Sequence, residues 1–223
     1  MKGDPLQTVV LAAKLIPNAR PELVKELAGL EGIELPEGIQ SLALISTDCD
    51  DVTYTAIDEA TKKADCCVLY ARSMYAGAAN QNTALAGDII ALLAAPNPAE
   101  ARAGLDAAID FIENKAHFIS ARDDDEICYY AHTISRTGSY LSAGAGIAEG
   151  EALAYLIAPP LESMYGMDAA LKAADVKMVA LYNPPSETNF GGGLLTGTQS
   201  ACKSACDAFA NAVQFVADNP TEY

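Results

Sequence analysis

Ala56-Ile-Asp-Glu-Ala-Thr-Lys-Lys-Ala-Asp65 and Gly166-Met-Asp-Ala-Ala-Leu-Lys-Ala-Ala-Asp175 are one segment written twice. At an offset of 110 residues, five positions are identical: Asp58/Asp168, Ala60/Ala170, Lys62/Lys172, Ala64/Ala174 and Asp65/Asp175. The flanks agree in type. Strand-like runs at 42–45 and 153–157 precede the two copies, and runs at 66–70 and 176–182 follow them. Next comes a loop rich in Gly, Pro and Asn, at 72–83 in one half and 183–193 in the other. After a third strand each half closes with a helix, 98–114 and 198–219, in which Arg102-Ala-Gly-Leu-Asp106 answers Lys203-Ser-Ala-Cys-Asp207. Each half therefore reads β–α–β–loop–β–α after an N-terminal portion of its own. The central helices are Ala-rich, and Asp58 and Asp168 are expected in their first turns, where the macrodipole favours an anion.

A repeat of this length is domain-sized and too long for a solenoid unit. The chain reads as a tandem duplication of α/β (α+β) type, with one domain at 1–114 and another at 115–223. Closed assemblies are built on rotational symmetry, and two related domains can fill adjacent sectors of a ring. A trimer would then have pseudo-sixfold symmetry and a pore on its axis.

The composition narrows the classes. Hydrophobic residues make up 51% of the 223 residues, too many for intrinsic disorder. No apolar run reaches the ~18 residues of a membrane span, so no membrane partner is expected. Fourteen basic against thirty acidic residues leave a formal charge of −16, which argues against nucleic acid and favours cationic small molecules. The opening residues lack the profile of a secretory signal, so a cytoplasmic location is expected. Six Cys do not make a disulfide scaffold at this length. Cys202 and Cys206, four apart on one helix face, read as buried free thiols rather than a metal site.

Several stretches resemble the tandem-domain shell proteins of the L type from ethanolamine-utilisation bacterial microcompartments. They include Asp50-Asp-Val-Thr-Tyr54, Arg72-Ser-Met-Tyr-Ala-Gly-Ala78 and Pro96-Asn-Pro-Ala-Glu-Ala-Arg-Ala-Gly-Leu-Asp106. Ser135-Arg-Thr-Gly-Ser-Tyr-Leu141, Pro185-Ser-Glu-Thr-Asn189 and Leu195-Thr-Gly-Thr-Gln-Ser-Ala-Cys-Lys203 continue the match. The similarity runs from about residue 40 to residue 220; an insertion-like segment lies near 29–38. The resemblance implies two circularly permuted microcompartment-shell domains, each a small, mainly antiparallel sheet with flanking helices. It also implies a homotrimer that packs with other shell proteins into a sheet, no catalytic activity and no cofactor. On this sequence the loops that gate the family's central pore match Arg72, Ser73, Met74, Tyr75 and Gly77, and Glu187, Asn189, Phe190, Gly191 and Gly192. A small acidic pore within each subunit, where ethanolamine binds in the family, matches Asp50, Asp51, Asp88, Phe118 and Thr188. Asp88 stands where related chains commonly carry Glu, one methylene longer, so ethanolamine and a choline-like amine are both candidates.

The residues themselves keep two readings open. Carboxylates converging at Asp50, Asp51 and Asp88 would bind an ammonium group, with Phe118 adding a cation–π face. Alternatively, Asp48, Asp50 and Asp51 form a solvated turn at a strand end. An EF-hand template fits Asp48, Asp50 and Glu59 but fails at Val52 and Thr53, so no metal is expected. Asp123-Asp-Asp-Glu126 reads as a solvated acidic turn. His117 and His132 have no nucleophile or spacing that marks a catalytic base. The rival to a shell protein is a small-molecule or metal-binding enzyme on a duplicated ferredoxin-like fold.

Overall fold

The computed structural model describes residues 1–73, 87–186 and 189–222. The elements run β1 (Pro5–Leu6), β2 (Val10–Ile16), α1 (Pro21–Glu31), β3 (Ser41–Thr47), α2 (Asp50–Lys63), β4 (Cys67–Ser73), β5 (Ile89–Ala95) and α3 (Pro98–Asn114). They continue with β6 (Phe118–Ser120), β7 (Cys128–Ile134), α4 (Ser139–Ala145), β8 (Ala152–Ala158), α5 (Pro160–Ala173), β9 (Val176–Tyr182), β10 (Gly191–Gly197) and α6 (Gln199–Asp218).

Two compact units result. One holds Thr8–Ala116 and Gly138–Leu141; the other holds Met1–Gln7, His117–Thr137 and Ser142–Tyr223. Each half of the chain thus lends a short segment to the unit of the other half. The first unit carries an antiparallel sheet in the order β2-β3-β5-β4. The second repeats that order as β7-β8-β10-β9 and extends it through β6 to β1. The registers match as well. Ser41 to Thr47 pair with Ala95 to Ile89, and Ala152 to Ala158 pair with Gly197 to Gly191. The mixed α/β tandem architecture inferred from the repeat is the observed one.

Local chemistry accounts for the elements. The central strands β3 and β8 are almost wholly buried, so they read as unbroken apolar runs rather than alternations. Asn97 caps α3 by accepting from the Ala99 and Glu100 amides, and Pro98 supplies a pre-set first helical residue. Thr198 caps α6 through the Ala201 amide. Gly32 ends α1 at φ 64°, the left-handed conformation in which Gly carries no Cβ penalty. Phe209, Val213, Cys202 and Cys206 of α6 are buried with Met167 and Ala170 of α5 and Leu156 and Leu195 of the sheet. Both cysteines are free thiols in that core, as their spacing suggested, and burial pushes Cys206 up to about 12. In the first unit Val24 and Ala28 of α1 pack with Leu42, Leu69, Leu92 and Ala94.

The structure differs from the sequence expectation at the starts of the central helices and at both loops. The central helices begin earlier than expected, at Asp50 and Pro160. Asp50 and Asp51 therefore occupy the first turn of α2 and Glu162 that of α5, while Asp58 and Asp168 lie further in. The loop read at 183–193 ends sooner, because Gly191, Gly192 and Gly193 are buried residues of β10. The loop read at 72–83 likewise starts inside β4, which carries Arg72 and Ser73. The acidic run at 123–126 is a turn, and it has partners: the Lys2 amide donates to Asp123 Oδ1 at 2.9 Å, and Arg122 pairs with Asp124 at 2.7 Å.

Asp58 is fully buried. Its Oδ2 accepts from the Gly138 amide at 2.7 Å and its Oδ1 from the Leu141 amide at 2.8 Å. The Lys62 ammonium lies 3.8 Å away. Burial raises the Asp58 carboxyl above its ordinary value, against those two amides and the lysine. Gly138 fits because a Cβ there would stand 2.2 Å from Thr61 Oγ1. Asp58→Ala leaves two buried donors without an acceptor and is expected to destabilise the protein by about 3 kcal/mol in urea unfolding. A loss below about 1 kcal/mol would contradict this account.

Candidate functional site

The acidic residues assemble because three strand ends meet. In the first unit Thr47 of β3 pairs with Ile89 of β5, and Ile89 pairs with Ser73 of β4. Asp48 and Asp50 follow Thr47 into α2, and Asp88 immediately precedes β5. The Asp88 amide donates to the Thr47 carbonyl at 2.7 Å. Gly87 permits that approach, since a Cβ there would lie 2.0 Å from the same carbonyl oxygen. Thr47 Oγ1 shares a 2.7 Å hydrogen bond with Thr53 Oγ1, and the Thr53 hydroxyl donates to the Cys49 carbonyl at 2.8 Å. These buried hydroxyls secure the first turn of α2, whose N-cap residue Cys49 makes no side-chain cap.

The carboxylates are held in place. Asp50 Oδ2 accepts from the Ser73 hydroxyl at 2.7 Å, and its Oδ1 accepts from the Asp51 amide at 2.9 Å. Ser73 Oγ in turn lies 2.7 Å from the Tyr54 hydroxyl. Asp48 Oδ1 accepts from the Val9 amide at 2.7 Å. Asp88 is raised above the ordinary carboxylate range, first by burial and then by the charges of Asp50 and Asp48. Burial, followed by the charges of Asp51 and Asp50, also pushes the Cys49 thiol up. The local field is therefore strongly negative, as a site for a cation requires. Asp48 was missing from the set implied by resemblance. Its signal was its place one residue beyond a strand end, which alone did not distinguish it from a turn residue.

Phe118 belongs to the other unit. It lies in β6, stacked on Tyr130 at 5.4 Å and edge-on to Phe190 at 5.9 Å. Tyr130 continues the aromatic row to His132 and Tyr155, and Tyr155 to Tyr182. Thr188 lies outside the described residues, as do Met74, Tyr75, Gly77 and Glu187. Arg72 pairs with Glu31 of α1 at 2.9 Å and lies 6.0 Å from the Tyr70 ring centre. Asn189 has φ 65°, and its amide donates to the Ser186 carbonyl at 2.9 Å. Gly191 and Gly192 are set by close packing. A Cβ on Gly191 would meet Pro184 and Ser163 at 2.8 Å, and one on Gly192 would lie 1.9 Å from the Leu156 carbonyl oxygen. Among the described residues no cluster of three or more His, Cys, Asp or Glu is arranged to hold a metal, and no helix is long and apolar enough to cross a membrane.

Two similar copies, each a four-stranded antiparallel sheet with two helices following the same strands, make up the fold of the tandem-domain microcompartment shell proteins. The trimeric shell protein PduB superposes with a TM-score of 0.72 at 18% identity over 96% of this chain and 90% of its own. No family model matches the chain. The EutL shell protein of Clostridium perfringens is 62% identical over 99% of both chains, and that of Escherichia coli is 51% identical over 98% of this chain and 97% of its own. The crystal structure of the ethanolamine utilization protein EutL from Leptotrichia buccalis superposes with a TM-score of 0.93 at 65% identity, covering both chains completely. This chain belongs to the EutL family of bacterial microcompartment shell proteins. It is a structural protein of the microcompartment, and these relatives set aside the enzyme reading.

Gly192→Ala is expected to destabilise the protein by about 3 kcal/mol or more, because φ 144° and the Leu156 carbonyl both exclude a Cβ. Gly144→Ala in α4, where a Cβ meets nothing within 4 Å, is the matched control and is expected to be neutral or stabilising. Thermal unfolding of the pair distinguishes packing at Gly192 from a generic glycine effect.

Proposed function

We propose that the chain forms a homotrimeric, hexagon-shaped tile of the shell, with residues 1–114 and 115–223 supplying its two shell domains. Tiles of this kind lie beside other shell proteins in a molecular sheet and control what passes. A central opening is gated by the segments that carry Arg72, Ser73, Met74, Tyr75 and Gly77, and Glu187, Asn189 and Phe190. Gly191 and Gly192 form the rigid base of the second segment. Identity with EutL along the whole chain supports this reading. Light scattering on the purified protein is expected to give a mass of about 70 kDa, three times the 23.3 kDa chain. A monomer or dimer mass would overturn the trimer.

The second part of the proposal is a small acidic pore for an amine such as ethanolamine, built around Asp50, Asp51 and Asp88 with Phe118 and Thr188. The observation that carries it is the grouping of Asp48, Asp50 and Asp88, with Asp88 raised by burial and by its acidic neighbours. Like charges close enough to raise one another are relieved by an ammonium ion. Asp50→Asn with Asp51→Asn is expected to abolish ethanolamine binding in calorimetry; unchanged affinity would refute the assignment. Protons compete with the amine for Asp88. Affinity should therefore rise as pH is increased from about 4, the ordinary Asp value, through the raised value of Asp88. A flat profile across that window would remove Asp88 from the site.

A further inference from the structure

The acidic cluster contains a directed hydrogen-bond relay. An ionised carboxylate only accepts, so Ser73 must donate to Asp50 Oδ2. The Ser73 hydroxyl has a single proton, so its Oγ accepts from Tyr54. The order is therefore Tyr54 to Ser73 to Asp50, with Asp50 Oδ1 held separately by the Asp51 amide. Tyr54 is itself steadied: its ring stacks on Tyr140, 6.1 Å away, in the segment that Asp58 anchors. Both oxygens of Asp50 thus keep one lone pair engaged, and the directions of the remaining lone pairs are set. Among the described residues, Asp48 and Asp50 both act on Asp88, and Asp51 and Asp50 on Cys49 at the helix start.

We propose that Ser73 and Tyr54 are positioning residues that make the site selective for a primary ammonium over a quaternary one. A primary ammonium donates directional N–H bonds and needs an acceptor lone pair in a fixed place. A quaternary ammonium has no N–H and responds only to charge and shape. Aligning Asp50 therefore strengthens the first and leaves the second unchanged. This inference rests on the amine reading of the site.

The test is calorimetry with ethanolamine and with choline on the full-length wild type, Ser73→Ala, Ser73→Thr and Tyr54→Phe, each checked for folding by circular dichroism. Ser73→Ala is expected to weaken ethanolamine about tenfold and choline hardly at all. Ser73→Thr restores the hydroxyl and should restore ethanolamine affinity. Tyr54→Phe keeps the ring on Tyr140 and loses only the donor, so a smaller loss with the same selectivity is expected. If Ser73→Ala binds ethanolamine as well as wild type, or weakens both amines alike, the relay has no role in selectivity. If Ser73→Thr is no better than Ser73→Ala, the hydroxyl is irrelevant. A wild type silent to both amines would instead sink the amine site itself, and this inference with it.

Discussion

A single buried carboxylate holds the two halves of the sequence to their shared architecture. Asp58, in the middle of α2, accepts from two backbone amides of the segment Gly138–Leu141, which comes from the second half of the chain but belongs to the first compact unit. Those amides lie at the start of α4, where helical hydrogen bonding leaves donors unpaired. A buried donor without an acceptor is costly, so the position of this segment is closely specified. The arrangement also needs Gly138, because no side chain fits between it and Thr61. Tyr140 then rests on Tyr54, and Tyr54 reaches Ser73 and through it Asp50. The acidic site is thereby connected, contact by contact, to the buried carboxylate within one unit.

The two copies share a frame and differ at one end of it. At the same sheet end, the first copy presents Asp50, Ser73 and Asp88, while the second presents Pro160, Asn183 and Phe190 at the matching positions. Strand order and the register of the central strand pair are the same in both copies, while β2 carries a bulge against β3 at this end that β7 lacks against β8. One copy gathers carboxylates where the other carries Phe190, edge-on to Phe118. A duplicated frame can in this way keep its strand order while its two copies carry different side chains at one end.

Much of the fold was legible in the repeat. The order β–α–β–loop–β–α, the Ala-rich central helices and the closing helices follow from periodicity and from turn residues at matching offsets. The errors have physical causes. Gly191, Gly192 and Gly193 read as loop because Gly favours turns, yet they lie in β10 where neighbouring backbone leaves no room for a Cβ. The start of α2 was read too late because Asp50 and Asp51 suit a turn as well as a helix N-terminus. Of the acidic site, Asp50 and Asp51 were visible as neighbours, and Asp88 was placed beside them only by resemblance. The contact between Asp88 and the end of β3 arises from pairing between strands far apart in sequence, which no local pattern encodes.

The sequence by itself determined the duplication, the membership of a shell-protein family and the acidic balance, because these reside in residue types and their spacing. Tertiary structure alone decided what each acid does. Asp58 and Asp168 occupy the same place in the repeat, each four residues before a lysine. Asp168 is exposed and forms an ordinary surface pair with Lys172. Asp58 is sealed inside its unit and receives the Gly138 and Leu141 amides. The same Asp and Lys spacing met different surroundings, and burial with available donors made one of the two aspartates structural.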